Sequence, residues 1–331
     1  MTQQMIQKAE TLGDWAVIGI KSHLEKILKH EPEVLKDKDP EELHQMRVGM
    51  RRLRSAITGF SPVLNLPKSI ADKRIGKVGR RLGKLRDLDV LLAVLREKYY
   101  PLLPLQEQEQ LDKILLRLSR RRQKAFKLVQ NTLEEGNTYT ELKLDLRHWL
   151  NAPQYTRIEQ LPIGEVLPDL LLPQISELFL HPGWQVGIPE CHSEVNGSEE
   201  TLTSTPEPTP EIVEDLLQTE GDLLHDLRKE VKRMRYQMSL FTTFYGEEYN
   251  VYLQDVKAIQ ECLGDIQDSQ VLEAVMQDIL KTDLRSALPN LARLLARSRY
   301  DVWQKWTTLQ QRYLDPEVRQ AFRLAVLQPT V

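Results

Sequence analysis

Cysteine is nearly absent from this chain of 331 residues, which has two, Cys191 and Cys262. Far apart and outside any CxxC pattern, they support neither a disulfide framework nor a thiolate zinc site. Glycine, at 15 residues, and aromatics, at 6%, are also scarce. Leu, Glu, Gln, Lys and Arg are abundant, and that balance favours helices over strands. Runs of 18 apolar residues are missing, as is a basic start followed by an apolar stretch, so no membrane span or secretion signal is expected. The expectation is an all-α cytoplasmic protein. Its length exceeds one typical core, which suggests two domains or two halves of one body.

The formal charge of −3 hides a segregation. From residue 44 to 127 there are 21 Lys and Arg against 7 Asp and Glu, a field that attracts polyanions. The balancing acid lies between residues 181 and 222, with 10 Asp and Glu and no Lys or Arg.

Hydrophobic periodicity predicts helices over about 3–29, 39–61, 67–99, 105–133 and 141–150, then 163–180, 212–244, 248–281 and 284–313. Asp39, Pro40 and Glu42 form a well-signalled helix start, with a cap, a proline at the first position and an acid three residues after the cap. HQMRVGMRRLRSAITGF from His44 returns as HDLRKEVKRMRYQMSLF from His225, an offset of 181 that also maps Phe60 onto Phe241, Leu82-Gly83 onto Leu263-Gly264, Asp87 onto Asp268 and Val90-Leu91 onto Val271-Leu272. The reading is an internal duplication, with one repeat over 1–160 and another over 161–331. A Pro/Ser/Thr/Glu-rich stretch at about 183–212 is expected to be a disordered insertion.

Each helical residue turns about 100°, so His44, Arg47, Arg51 and Arg54 share one stripe beside Leu43, Met46, Met50, Leu53, Ile57 and Phe60. In the second copy His225, Arg228, Lys232 and Arg235 do the same, while Arg52 and Arg233 lie further round. Solvated surface charge is the ordinary explanation of such a stripe. Here no acid falls between Arg47 and Arg54, and like charges at helical spacing repel, so an anion should compensate them. The next helix repeats the pattern with Lys73, Lys77, Arg80 and Lys84, Arg81 nearby, and the one after carries Arg117, Arg120, Arg121, Lys124 and Lys127. Three basic stripes could line a groove suited to a linear polyanion. In the second half Lys77, Arg80, Arg81 and Lys84 become Ala258, Glu261, Cys262 and Asp265, leaving Arg293, Arg297 and Arg299 as the main cations of the last long helix. Gly76, Gly79 and Gly83 share a helix face, for which a close helix crossing is the favoured reason over ligand contact.

HQMRVGMRRLR and HDLRKEVKRMRY, each followed by LGKLRDLDVL or LGDIQDSQVL, resemble the CHAD domain, a conserved histidine α-helical domain, over nearly the whole chain. The resemblance implies two antiparallel helical bundles related by pseudo-twofold symmetry. It further implies a central basic channel that binds inorganic polyphosphate. Carried over by position, His44, Arg47, Arg51, Arg54, His225, Arg228, Lys232 and Arg235 would bind the ligand, extended by Lys73, Lys77, Arg81 and Lys84. The expected role is non-catalytic polyphosphate binding, with association with polyphosphate granules.

The rival readings are a phosphate-chain enzyme or its accessory protein, a general polyanion or nucleic-acid binder, and a metal protein. No ExExK strand pattern of a triphosphate-hydrolysing domain is present, and GRRLGKL from Gly79 has one residue too few and no Ser or Thr for a P-loop. Asp87 and Asp89 do not face each other on a helix, so pairing with Arg86 or another base is expected rather than metal binding. The basic helices lack interleaved aromatics and the pI is about 6.2, which disfavours nucleic acid. His44 has no ligand partner three or four residues on, and no cofactor is expected.

Overall fold

The computed structural model describes residues 9–70, 72–134, 136–188 and 208–330. It is all-α, with no strand among the described residues beyond two isolated bridges, Thr11 with Pro162 and Leu64 with Tyr155. The helices are α1 (Leu12–Lys36), α2 (Pro40–Gly59), α3 (Asp72–Ala93), α4 (Leu105–Leu133), α5 (Thr138–Asn151) and α6 (Ile163–Phe179). After the insertion come α7 (Pro210–Thr219), α8 (Gly221–Leu240), α9 (Glu247–Leu280), the short α10 (Leu284–Ala287), α11 (Pro289–Leu314) and α12 (Pro316–Leu327). Among the described residues no helix is long and apolar enough to cross a membrane.

Local chemistry sets these boundaries. Thr11 and Asp14 form a capping box at the start of α1; the earlier part of the expected first helix, residues 3–8, lies outside the described residues. Pro32 does not end the helix; it sits on the exposed face, and α1 runs on until Asp37 enters the left-handed region at φ 52°. Asp39 accepts from the Glu41 amide at 2.8 Å and opens α2. The third helix starts at Asp72, after a 3-10 turn, and passes through a π-helical turn over Val94–Tyr99. What the periodicity read as one helix over 212–244 is two, broken at Glu220, whose amide closes α7 on Leu216 O at 2.8 Å. Pro289 likewise separates α10 from α11, since a proline lacks the N–H needed to continue a helix. α12 has no counterpart in the sequence expectation.

The insertion is shorter than expected at its first end. Residues 182–185 form a 3-10 turn in which Trp184 is buried, donates to Leu178 O at 2.7 Å and stacks on Trp306 at 5.5 Å. Gln310 ties the same segment down through the Trp184 and Val186 carbonyls, both at 2.9 Å. The central part of the stretch, 189–207, lies outside the described residues.

Two apolar clusters join the halves. The larger runs from α1 and α2 through α6, α8 and the middle of α9 to α11 and α12. At its centre α2 crosses α8, with Phe60 edge-on to Phe241 at 5.5 Å. The crossing is close: a Cβ at Gly59 would lie 2.0 Å from Gln237 Nε2, and Gln237 is itself buried. A second cluster joins the far ends, where Leu91, Leu95, Tyr99, Leu111 and Leu118 pack with Leu272, Met276, Leu288 and Leu295. The two halves therefore meet at two separate levels.

Candidate functional site

The apolar stripe of α2 is buried as its spacing requires, with Leu43, Met46, Met50 and Leu53 at 3% exposure or less. That seating leaves His44, Arg47 and Arg51 half-buried at the edge of the interface, and Arg52 and Arg54 exposed. On α8, Leu224, Leu227, Val231, Met234 and Met238 are buried, while His225, Arg228, Lys232 and Arg235 are half-buried and Arg233 is exposed.

The repeat in the sequence is also a repeat in contacts. Arg47 Nη1 reaches Asp87 Oδ1 at 3.0 Å, and Arg228 Nη2 reaches Asp268 Oδ1 at 3.4 Å, each pair forty residues apart. A Cβ on Gly83 would lie 3.5 Å from Arg47 Nε, and one on Gly264 would lie 3.4 Å from Arg228 Nε. These two glycines thus provide room for an arginine to lie across the neighbouring helix. Of the other glycines on that face, Gly76 lies beneath Arg80 and Arg54, and Gly79 has nothing within 4 Å.

The two copies converge on one charge cluster. Burial, then Arg51, Arg228 and Arg47, push the Lys232 ammonium down to about 8, against a smaller opposing effect of Asp87. Arg51 is shifted down by burial, opposed by Tyr236, with Arg47 and Arg235 adding repulsion. Arg51 and Lys232 are equivalent positions of the repeat and face each other across the junction. Burial also raises the Asp268 carboxyl; Arg228 lowers it and Asp87 raises it further. Solvent nevertheless reaches Asp87 and Asp268, whose side chains are 66% and 68% exposed. Of Arg47, Arg51, Arg228 and Lys232, only Arg47 and Arg228 pair with a carboxylate, which leaves positive charge in excess. Arg51 Nε, Arg228 Nε and His225 Nδ1 are buried without a hydrogen-bond partner among the described residues.

His44 is shifted down, chiefly by burial, with Glu41 opposing and Arg86, Arg51 and Arg47 reinforcing the shift. That disfavours the charged form of the ring in the free protein.

The outlying cations divide. Arg54 forms a two-pronged pair with Asp72, the Nη2–Oδ2 arm at 2.8 Å, and Arg80 lies beside it over Gly76. Lys73, Lys77, Lys84 and Lys124 are exposed and have no ion pair among the described residues. Arg81 donates to Thr132 Oγ1 at 2.8 Å and fastens α3 to α4. Arg117 donates to Ile279 O at 2.6 Å and Arg121 pairs with Asp278 at 2.7 Å, so both hold α4 against the end of α9. Asp89 pairs with Arg122 at 2.8 Å, and Arg122 also binds Asp37.

In the second half Arg233 pairs with Glu230 and Arg297 with Asp301 at 3.0 Å, each on its own helix. Arg293 borders a shallow cavity between α7 and α11 with Glu211, Glu214 and Asp215. Arg299, 4% exposed, is bound by Glu214, Glu273 and Ser269 and is structural. The structure does not bring Arg293 or Arg297 into the central cluster. Three side chains that motif reading missed do belong there: Asp87, Asp268 and Tyr236. Asp87 and Asp268 were visible as matched positions of the repeat, but not as the partners of Arg47 and Arg228. Tyr236, whose ring centre is 5.5 Å from Arg51 Cζ and 5.9 Å from Arg235 Cζ, has Ser55 as its counterpart and gave no repeat signal.

Among the described residues no three His, Cys, Asp or Glu side chains are grouped to hold a metal ion. Comparison with curated protein sequences gives no match. Among solved structures, the CHAD domain from the plant Ricinus communis superposes with a TM-score of 0.59 at 24% identity, covering 97% of this chain and 94% of that one. PptA from Streptomyces chartreusis superposes with a TM-score of 0.56 at 13% identity, covering 97% and 100%. At these identities the likeness establishes a shared fold. The sequence profile of the CHAD domain matches residues 19–277, well over half of the length, and the chain belongs to the CHAD domain family.

Proposed function

We propose that the protein binds inorganic polyphosphate without catalysis, in a basic recess between its two halves. The observation that carries this reading is the convergence of Arg47, Arg51, Arg228 and Lys232 at one place, where only Arg47 and Arg228 have carboxylate partners and the buried Nε donors of Arg51 and Arg228 are left unbonded. Cations held together in a half-buried site repel one another, and an anion that removes the repulsion gains charge-assisted hydrogen bonds. Arg offers its planar fork to phosphate oxygens, whereas Lys acts as a point charge. A linear polyanion gains more than a compact one, because Arg80, Lys73, Lys77 and Lys84 continue the positive charge along α3. On α9 the corresponding residues are Glu261, Gln254, Ala258 and Asp265. The ligand therefore runs from the central cluster along the first-half wall. Recruitment to polyphosphate granules follows from the same binding.

The test is calorimetric titration with long-chain polyphosphate, triphosphate and single-stranded RNA at matched phosphate concentration. Tight binding of the long chain, weaker binding of triphosphate and weak binding of RNA are expected. Arg47→Glu with Arg51→Glu should weaken long-chain binding at least ten-fold, and reversal of the exposed Arg147 and Arg157 should change it less than two-fold. Equal effects would remove the defined recess, and preference for RNA would turn the reading to nucleic acid.

A further inference from the structure

The two copies of the motif hold their last arginine differently. In the first, Arg54 is tied to the carboxylate of Asp72. In the second, Arg235 has no carboxylate partner among the described residues, and the position matching Asp72 is Leu253. Arg235 lies instead over the ring of Tyr236, 5.9 Å from its centre, and the same ring takes Arg51 from the other half at 5.5 Å. Two guanidinium groups close enough to repel are thus held by one half-buried aromatic side chain.

A carboxylate and an aromatic face do different things for a cation. The carboxylate neutralises it, and an incoming phosphate must then compete. The ring attracts it through its quadrupole without removing its charge. The α2/α8 crossing fixes the ring in place: the next residue, Gln237, is wedged against Gly59, and Phe241 packs on Phe60. We infer that Tyr236 is a positioning residue for polyanion binding, holding Arg51 and Arg235 together across the junction of the halves while leaving both charges free for phosphate. The inference rests on the polyphosphate reading of the same site, and it places an unneutralised arginine pair at the junction, one arginine from each half.

The experiment is titration of long-chain polyphosphate at several salt concentrations into wild-type protein, Tyr236→Phe, Tyr236→Leu and Arg51→Ala. Tyr236→Phe should bind as wild type, because the ring face is kept. Tyr236→Leu should bind roughly five- to thirty-fold more weakly, the range of two lost cation–π contacts, with the salt slope unchanged because both arginines remain. Arg51→Ala should lower both affinity and slope. A fluorinated phenylalanine at position 236, which keeps the ring's shape but weakens its quadrupole, should match Tyr236→Leu and gives the answer if the leucine variant does not fold. Wild-type affinity in Tyr236→Leu or in the fluorinated protein would overturn the inference, as would loss of binding in Tyr236→Phe. Absence of polyphosphate binding by the wild type would instead overturn the functional reading beneath it.

Discussion

Lys232 shows most directly how single residues carry the site. Its folded-state pKa is depressed from 10.5 to about 8, so folding opposes its charge. The sign follows: the penalty is absent above the unfolded value, grows as pH falls from there to about 8, and is complete below that. At pH 7 Lys232→Met should therefore stabilise the fold, by about 1 kcal/mol after allowance for partial solvent screening, while weakening polyphosphate binding. Thermal melts and titrations on one sample check both directions. An anion raises the same pKa, so wild-type affinity should decline as pH rises through about 8, and this decline should vanish in Lys232→Met. Asp87 and Asp268 act oppositely, as built-in counterions of Arg47 and Arg228. Asp87→Asn with Asp268→Asn should tighten binding several-fold and steepen its salt dependence, since more solution counterions are then released. The arginines were legible because a helix repeats every 3.6 residues and no acid interrupts Arg47 to Arg54. Their carboxylate partners were not, because each lies forty residues away on another helix, beyond the reach of local periodicity.

Among elements, the α2–α3 and α8–α9 pairs are the repeated unit, and glycine sets how an arginine lies between them. At Gly83 and Gly264 an added Cβ would make ordinary contacts with the guanidinium, 3.5 and 3.4 Å away. Gly83→Ala should thus keep binding and gain up to about 1 kcal/mol of stability from better helix propensity. Gly83→Leu should push Arg47 off the helix and weaken binding several-fold; comparing affinities and melting temperatures of the two variants tests this. Element boundaries were legible where capping chemistry is local, as at Asp39 and Pro40. They were missed at Pro32, which the helix tolerates on its exposed face, and at the α7–α8 break, where an unbroken apolar stripe gave no sign that the helix stops at Thr219.

For the whole molecule, two apolar junctions hold the halves together, one at the α2–α8 crossing and one at the far ends of α3, α4, α9 and α11. A cationic cluster can persist where the halves meet because those junctions offset its repulsion. The repeated pattern was readable as an offset of 181 residues; the loss of basic residues along α9 was readable too, position by position. What sequence could not supply is which cations meet. Arg293 and Arg297 look equivalent to the others in a list of charges, yet they occupy a different face from Arg51 and Lys232. The most direct test of the central claim is the salt dependence of long-chain polyphosphate binding in wild type and in Arg51→Met with Lys232→Met. The double variant should bind at least ten-fold more weakly, with a log–log slope shallower by between about 1.4 and 1.8 for two lost phosphate contacts. Unchanged affinity and slope would contradict the account.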